Sequence, residues 1–105
     1  MGKIKSVSAD EMRALVASGG VVIVDFWAPW CGPCRQLGQL LEEMADEIAS
    51  AGASVVKVNV DDEPGLASEM GVDSIPKTFV YRDGQVAKSK LGVVPASWIR
   101  EAIAS

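Results

Sequence analysis

The residues with the clearest chemistry in this chain are its only two cysteines, Cys31 and Cys34, which enclose Gly32 and Pro33. The pair follows an apolar run at residues 21–26 that is typical of a buried strand, and it precedes a run with helical spacing of leucines. A Cys-X-X-Cys sequence at a strand-to-helix junction indicates redox chemistry. The chain therefore offers a dithiol that can be oxidised to a disulfide and reduced again.

Two structural roles for the cysteines are weaker alternatives. A disulfide across so short a loop would add little stability, because the gain grows with loop length. A zinc site needs about four ligands, whereas the chain has one cysteine pair and no histidine, so a metal would have to be shared between chains. We expect the pair to work without a metal or a cofactor.

The two-residue spacing gives the two sulfurs different environments. Cys31 is expected at the N-terminus of a helix, with Cys34 one turn further in. Backbone N–H groups at that end favour a thiolate, so the pKa of Cys31 should be lowered. The helix dipole contributes ~0.3–1 kcal/mol, which is less than about one pKa unit at 1.36 kcal/mol per unit. Hydrogen bonds to the Cys31 sulfur, including one from Cys34, would supply the rest.

Both residues between the cysteines suit this position. Gly32 lets the backbone of a partner approach closely, and Pro33 in the first helical turn loses no donor that the helix needs.

Asp25 is unusual because it interrupts the apolar run at residues 21–27. Burying an ionised carboxylate without a partner raises its pKa or destabilises the fold. The sequence therefore marks Asp25 as a candidate functional group. The alternative is that Asp25 lies at the strand end and forms a hydrogen bond with a turn.

Hydrophobic periodicity and turn residues predict the elements that position these side chains. Ser8 and Glu11 form a capping box that opens a helix, and Asp83-Gly84 between two alternating runs predicts a hairpin. The other predicted elements are a weak edge strand at 3–7, a central strand at 21–27, a helix at 33–50, a strand at 53–60, a short helix within 61–71, hairpin strands at 77–82 and 85–91, and a last helix from Pro95.

The order β-α-β-α-β-α-β-β-α predicts an α/β fold. Right-handed crossovers would pair the first strands in parallel, and the hairpin would add an antiparallel edge. We expect a mixed five-stranded sheet at the centre of three α/β/α layers, flanked by four helices. With 105 residues, the chain is expected to form one domain, residues 1–105.

Composition excludes several other classes of protein. The formal net charge of −4 argues against nucleic acid as a partner, and no apolar run approaches the ~20 residues of a membrane span. The first apolar residues are scattered among Lys3, Lys5 and Asp10, so no secretory signal is expected. Two cysteines without an export signal predict a reducing, cytoplasmic location.

The sequence Trp-Cys-Gly-Pro-Cys at residues 30–34 resembles the active-site motif of the thioredoxin family, and the predicted order of elements extends this resemblance over nearly the whole chain. The resemblance implies the thioredoxin fold. It implies that Asp25 is a buried acid beneath Cys34, which it deprotonates through a water as a general base. It also implies that Lys57 is the partner of Asp25, although Lys57 alone is an ordinary lysine near a strand end.

The same resemblance implies a client-binding surface around Cys31. In the family, a bond like Ile75–Pro76 is cis and faces the cysteines, which leaves the Ile75 backbone free to pair with an extended client segment. The residues expected on this surface are Trp30, Gly32, Pro33, Ile75, Pro76, Gly92 and Val93.

The implied function is that of a protein-disulfide reductase. The Cys31 thiolate would attack a client disulfide, and Cys34 would then attack Cys31 and release the reduced client. The expected partners are disulfide-containing client proteins and a thioredoxin reductase that restores the dithiol. The chain itself is expected to be a monomer.

Two other functions stay open from the sequence. Oxidases and disulfide isomerases usually carry histidine before the second cysteine, where this chain has Pro33, and a binding or regulatory subunit of a larger enzyme would use the fold alone. Some positions also depart from the family pattern. Gln39 stands where a proline usually kinks the helix, Ser74 where glycine is frequent, and Lys77-Thr78 where threonine and an apolar residue are usual. Ser74 and Lys77 border the client-binding surface, so the range of clients and the choice of reductase stay open.

Overall fold

A mixed sheet of four strands forms the centre of the computed structural model, which describes residues 2–104. Its strands, in the spatial order β2-β1-β3-β4, are β1 at Val21–Trp27, β2 at Ser54–Asn59, β3 at Lys77–Arg82 and β4 at Gln85–Leu91. β1 pairs in parallel with β2 and antiparallel with β3, and β3 pairs antiparallel with β4. The predicted hairpin is confirmed, with the turn residues Asp83 and Gly84 at φ 51° and 90°.

Helices cover both faces of the sheet. They are α1 at Ala9–Ala17, α2 at Gly32–Glu43, α3 at Ala45–Ser50, α4 at Pro64–Glu69 and α5 at Ala96–Ile103. Alternate residues of a strand point to opposite faces. Ile23 accordingly packs among side chains of α2, α3 and α5, whereas Val22 and Val24 pack among side chains of α1 and α4. Residues 22–26 are buried as a result, which explains the continuous apolar run in the sequence.

The prediction of five strands was wrong by one. In place of a strand at residues 3–7, the structure has an isolated parallel bridge between Ser6 and Lys57. The Glu42 carboxylate accepts the backbone N–H groups of Lys3 and Ile4 at 2.6 and 3.0 Å. The segment pairs with β2 through Lys5 and Val7, which bond the backbone of Lys57 at 2.9 and 2.8 Å.

The predicted helix at residues 33–50 is divided into α2 and α3, so the described residues form five helices where four were predicted. The division lies at Met44, whose φ and ψ are −95° and 0°. Its N–H bonds the carbonyl groups of both Leu40 and Leu41, at 3.0 and 3.2 Å, which tightens the last turn of α2. At Gln39, where the family usually has proline, α2 continues without interruption.

Gly38 lies buried in the interior of α2 and offers a test of its packing. A Cβ at this position would lie 3.6 Å from Lys57 Nζ, which is an ordinary van der Waals contact. Since alanine favours a helix interior by roughly 1 kcal/mol over glycine, Gly38→Ala is expected to raise the free energy of unfolding by about 1 kcal/mol in urea denaturation. The exposed neighbour serves as a control, because Gln39→Ala should change that energy by less than about 0.5 kcal/mol. A Gly38→Ala protein no more stable than the parent would contradict the prediction.

Candidate active site

The two cysteines form a disulfide at the start of α2, with their Cα atoms 5.2 Å apart. Cys31 is the N-cap residue of the helix, and Cys34 lies in its first turn. Cys31 is 7% exposed and Cys34 is fully buried. Of the two cysteines, only Cys31 therefore has any surface that a partner molecule can contact.

The environment of Cys31 favours a negative sulfur. The backbone N–H of Cys34 donates a hydrogen bond to Cys31 Sγ at 3.2 Å, and α2 has no acidic residue in its first turn. The guanidinium of Arg35 lies beside this turn and donates to the Pro29 carbonyl at 3.0 Å. Donors and partial positive charge at a helix N-terminus stabilise a thiolate over a thiol. The position at the helix N-terminus and the hydrogen bond from Cys34 were predicted from the spacing of the cysteines, and the nearby Arg35 was not.

Asp25 lies in the middle of the sheet and is fully buried. Burial raises the pKa of Asp25 from its ordinary value of 3.8 to about 7, while the positive charge of Lys57 acts in the opposite direction. Neither carboxylate oxygen has a hydrogen-bond partner among residues 2–104. The side chain is therefore an acid that changes protonation near neutral pH.

Lys57 is the register partner of Asp25 across β1 and β2. Its ammonium lies over the indole of Trp27, with Nζ 3.8 Å from the ring centroid, and no ion pair joins it to Asp25 in the part of the chain described. Lys57 thus acts on Asp25 through its charge, while the aromatic ring holds the ammonium.

Cys34 lies on the face of α2 that approaches Lys57. Cys34 and Gly38 are four residues apart and share the buried face of α2. The Cβ position of Gly38 is 3.6 Å from Lys57 Nζ, and Lys57 is opposite Asp25. The buried face of α2 therefore carries Cys34 and packs over the part of the sheet that holds Lys57 and Asp25.

The residues expected to bind clients lie around the cysteines. Ile75 packs against the buried cluster of Ala28 and the two cysteines. The Ile75–Pro76 bond is cis, as the resemblance implies. The Gly92 N–H donates to the Pro76 carbonyl at 2.8 Å, which ties the end of β4 to this bond.

Exposed apolar side chains lie near the accessible sulfur. Trp30 is 67% exposed and precedes Cys31, while Val93 is 39% exposed and follows Gly92. Gly32 and Pro33 are exposed as well. An apolar surface of this kind beside a reactive group is suited to contact another protein.

Three residues of the site were missed by the sequence analysis. Asp61 accepts a hydrogen bond from Trp30 Nε1 at 2.7 Å and fixes the exposed indole; its position among acidic residues suggested only a helix start. Leu91 is 58% exposed at the end of β4 beside Gly92. Thr78 is fully buried opposite Asp25. Its departure from the family pattern was the sequence signal that could have identified it.

No helix within the described range has both the length and the apolar character that crossing a membrane requires.

Comparisons with known proteins agree with this geometry. The sequence model of the family described as Thioredoxin matches residues 3–105. The chain is 39% identical over 101 residues to thioredoxin from Rhodospirillum rubrum, covering 96% of this chain and 94% of that protein. It is 38% identical over 96 residues to thioredoxin from Bacillus subtilis, covering 91% of each.

Solved structures are similar as well. A mutant thioredoxin from Halobacterium salinarum has a TM-score of 0.84 at 29% identity, covering 95% of this chain and 86% of that one. The thioredoxin of Plasmodium falciparum has a TM-score of 0.82 at 26% identity, covering 94% and 95%. The predicted three-layer fold is confirmed, with the corrections to strand and helix number given above.

The burial of Asp25 predicts a pH-dependent stability. In the unfolded chain the carboxyl ionises near pH 3.8, and in the folded protein at about 7. Between these values the folded state holds a proton that the unfolded state has lost, so stability falls as the pH rises through this window. About three pKa units at 1.36 kcal/mol each correspond to at most ~4 kcal/mol.

Asp25→Asn is expected to remove this dependence, because asparagine does not ionise. Its free energy of unfolding should gain up to ~4 kcal/mol relative to the parent between about pH 4 and about pH 8. Urea denaturation of the two oxidised proteins at both pH values measures the difference. A constant difference across this range would contradict the assignment.

Proposed function

The chain belongs to the thioredoxin family and is a thiol–disulfide oxidoreductase, and we propose that Cys31 attacks client disulfides while Asp25 activates Cys34 for the second step. The observation that carries this proposal is the difference between the sulfurs. Cys31 is the more exposed of the two at a helix N-terminus, and Cys34 is buried on the same face of α2 as Gly38, whose Cβ position lies 3.6 Å from Lys57 Nζ.

The first step forms a mixed disulfide. The Cys31 thiolate attacks one sulfur of the client disulfide, the client S–S bond breaks, and its other sulfur leaves as a thiolate that takes a proton from solvent. The N–H of Cys34, which donates to Cys31 Sγ at 3.2 Å, stabilises the attacking thiolate.

The second step releases the client. Asp25 accepts the proton of the Cys34 thiol through a water, and the Cys34 thiolate attacks Cys31 Sγ. The bond to the client breaks, its sulfur leaves with the electron pair and becomes a thiol, and the Cys31–Cys34 disulfide forms. The client has then gained two electrons from the protein and two protons, one from solvent and one that Asp25 took from Cys34 and passes to the leaving sulfur.

The environment of Asp25 suits a general base. A base is most effective when its pKa is near the working pH, and burial brings the pKa of Asp25 to about 7. Lys57 opposes this rise through its charge, so it keeps part of the carboxyl ionised near neutrality.

The client-binding surface is formed by the residues around Cys31. An extended client segment pairs with the backbone of Ile75, in a short form of strand addition, while exposed apolar side chains contact its flanks. Two contacts support this role in client binding. Ile75 packs against the cluster of Ala28 and the two cysteines, and the exposed Trp30 indole donates a hydrogen bond to Asp61. The surface comprises Trp30, Gly32, Pro33, Ile75, Pro76, Gly92 and Val93.

The partners follow from the reaction. Disulfide-containing proteins are the substrates, and a thioredoxin reductase returns two electrons to Cys31–Cys34 after each cycle. The protein acts as a monomer in a reducing compartment, the cytoplasm, where cysteine pairs are usually catalytic. Pro33 and the lack of histidine in the chain support a reductant over an oxidase or isomerase.

Cys34→Ser tests the order of attack. The variant keeps the attacking sulfur and lacks the resolving one, so it should form a stable mixed disulfide with an oxidised client and lose catalytic insulin reduction with dithiothreitol. Cys31→Ser is the matched control, which should lose turnover without trapping the client. Mass spectrometry under non-reducing conditions measures the adduct, and equal trapping by both variants would contradict the order.

Asp25→Asn tests the base. In single-turnover mixing of reduced protein with an oxidised client, the first attack by Cys31 should be nearly unchanged, because Asp25 acts on the other sulfur. Release of the client should slow by about 100-fold or more near pH 7. Release at the parent rate would remove Asp25 from the mechanism.

A further inference from the structure

One row of polar side chains crosses all four strands of the described sheet. Asp25 on β1 is opposite Lys57 on β2 and opposite Thr78 on β3, and Thr78 is in turn opposite Lys90 on β4. Residues directly opposite each other share one face of a sheet. The other three members of the row therefore lie on the same face as Asp25.

This face is the one beneath α2. Asp25 is two residues from Ile23, and Thr78 is two residues from Val80, and both apolar side chains belong to the core under α2, α3 and α5. The row consequently runs under the helix that carries Cys34.

The two central members of the row are buried and lack partners. Asp25 and Thr78 are the buried polar or charged residues of the described chain, each at 0% exposure. Both carboxylate oxygens of Asp25 and the hydroxyl of Thr78 are without a hydrogen-bond partner among residues 2–104. Native proteins rarely leave such groups unpaired, and these two are adjacent.

Their separation allows direct pairing. Opposite residues of an antiparallel pair have Cβ atoms about 4.5–5.5 Å apart, and rotation about χ1 brings a threonine hydroxyl within reach of a carboxylate at that distance. We propose that Thr78 is a positioning residue for Asp25. The Thr78 hydroxyl bonds the Asp25 carboxyl group and holds it in the orientation that accepts the Cys34 proton. This inference rests on the proposed function of Asp25 as the base.

A hydroxyl is suited to a base that changes protonation state. It donates to the ionised carboxylate and accepts from the protonated carboxyl, whereas the Lys57 ammonium can only donate and lies over Trp27. The bond to the ionised form is the stronger of the two. Thr78 should therefore lower the pKa of Asp25 below the value it would have beside an apolar residue.

The other charged groups near Asp25 are the same in the parent and in the Thr78 variants, so their effect on the titration of Asp25 is unchanged. They are Lys57 on β2, Lys90 on β4 and, beyond Lys57, Glu42 on α2, whose carboxyl also interacts with the Lys57 charge. Cys34 on α2 is the remaining titratable group, and in the oxidised protein it does not titrate. A change in the titration of Asp25 would accordingly report on the hydroxyl.

Thr78→Val and Thr78→Ser separate the hydroxyl from the packing. Valine keeps the shape without the oxygen, and serine keeps the oxygen with a smaller side chain. The pKa of Asp25 is measured from the pH dependence of its carboxyl ¹³C signal in the oxidised protein, and the pH midpoint of client release is measured in single-turnover mixing. Thr78→Val should raise both by about half to one unit and slow release near pH 7 by about two- to fivefold, while Thr78→Ser should match the parent.

Two results would overturn the inference. In one, Thr78→Val shows the Asp25 titration of the parent. In the other, Thr78→Ser shifts as far as Thr78→Val, which would assign the effect to packing. If Thr78→Val does not fold, Thr78→Ala and Thr78→Ser form a second pair that differs by one oxygen atom, with the same expected contrast.

Asp25→Asn keeps this test separate from that of the proposed function. If Asp25→Asn releases client at the parent rate, Asp25 is not the base, and the proposed function fails at that point. If Asp25→Asn slows release while Thr78→Val leaves both midpoints unchanged, the base stands and only the role of Thr78 is lost.

Discussion

The burial of one carboxyl group in the central strand is the constraint on which the rest of the site depends. Asp25 is fully buried with a strand on either side, so its charge is shielded from bulk solvent. A folded protein accepts such a group only when the surrounding core supplies enough stability, and here both faces of β1 are packed with apolar side chains. The same burial moves the protonation of Asp25 to about neutral pH, where proton transfer to and from a thiol is feasible. The burial that brings the pKa of Asp25 near neutrality therefore also lowers the stability of the folded protein.

The packing of α2 determines how closely charge can approach that carboxyl group. Gly38 has no side chain on the buried face of the helix, and the Lys57 ammonium lies 3.6 Å from where its Cβ would be. The Trp27 ring takes the other side of the ammonium. Lys57 is therefore held near Asp25 without a direct ion pair, which moderates the pKa of the acid and leaves its oxygens open for a proton. A closer pair would favour the ionised form more strongly and would weaken the base.

The features of this structure that could be predicted from the sequence depend on interactions between residues that are close together in the chain. The apolar run of β1, the capping box at Ser8, the Asp83-Gly84 turn and the cysteine pair at a helix start all depend on residues close together in the chain. The features that were predicted wrongly or missed depend on contacts between residues that are far apart in the chain. Where a fifth strand was predicted, Glu42 of α2 accepts the backbone N–H groups of Lys3 and Ile4, and the segment forms one bridge to Lys57. Asp25 lies opposite Thr78 because of the register between β1 and β3, which are distant in the chain. The alternation pattern within either strand does not specify that register.

In the proposed mechanism, the different burial of the two cysteines gives the reaction its order. Cys31 is reachable and has a hydrogen-bond donor already in place, so it can react with a client before anything else moves. Cys34 is inaccessible to any client and can react only with the sulfur three residues before it, once its proton has gone to a neighbouring base. In the proposed mechanism the buried Cys34 thiolate attacks Cys31 Sγ of the mixed disulfide, and this attack releases the client. The one-turn separation of the cysteines on α2 places the resolving sulfur in the interior and the attacking sulfur at the helix N-terminus.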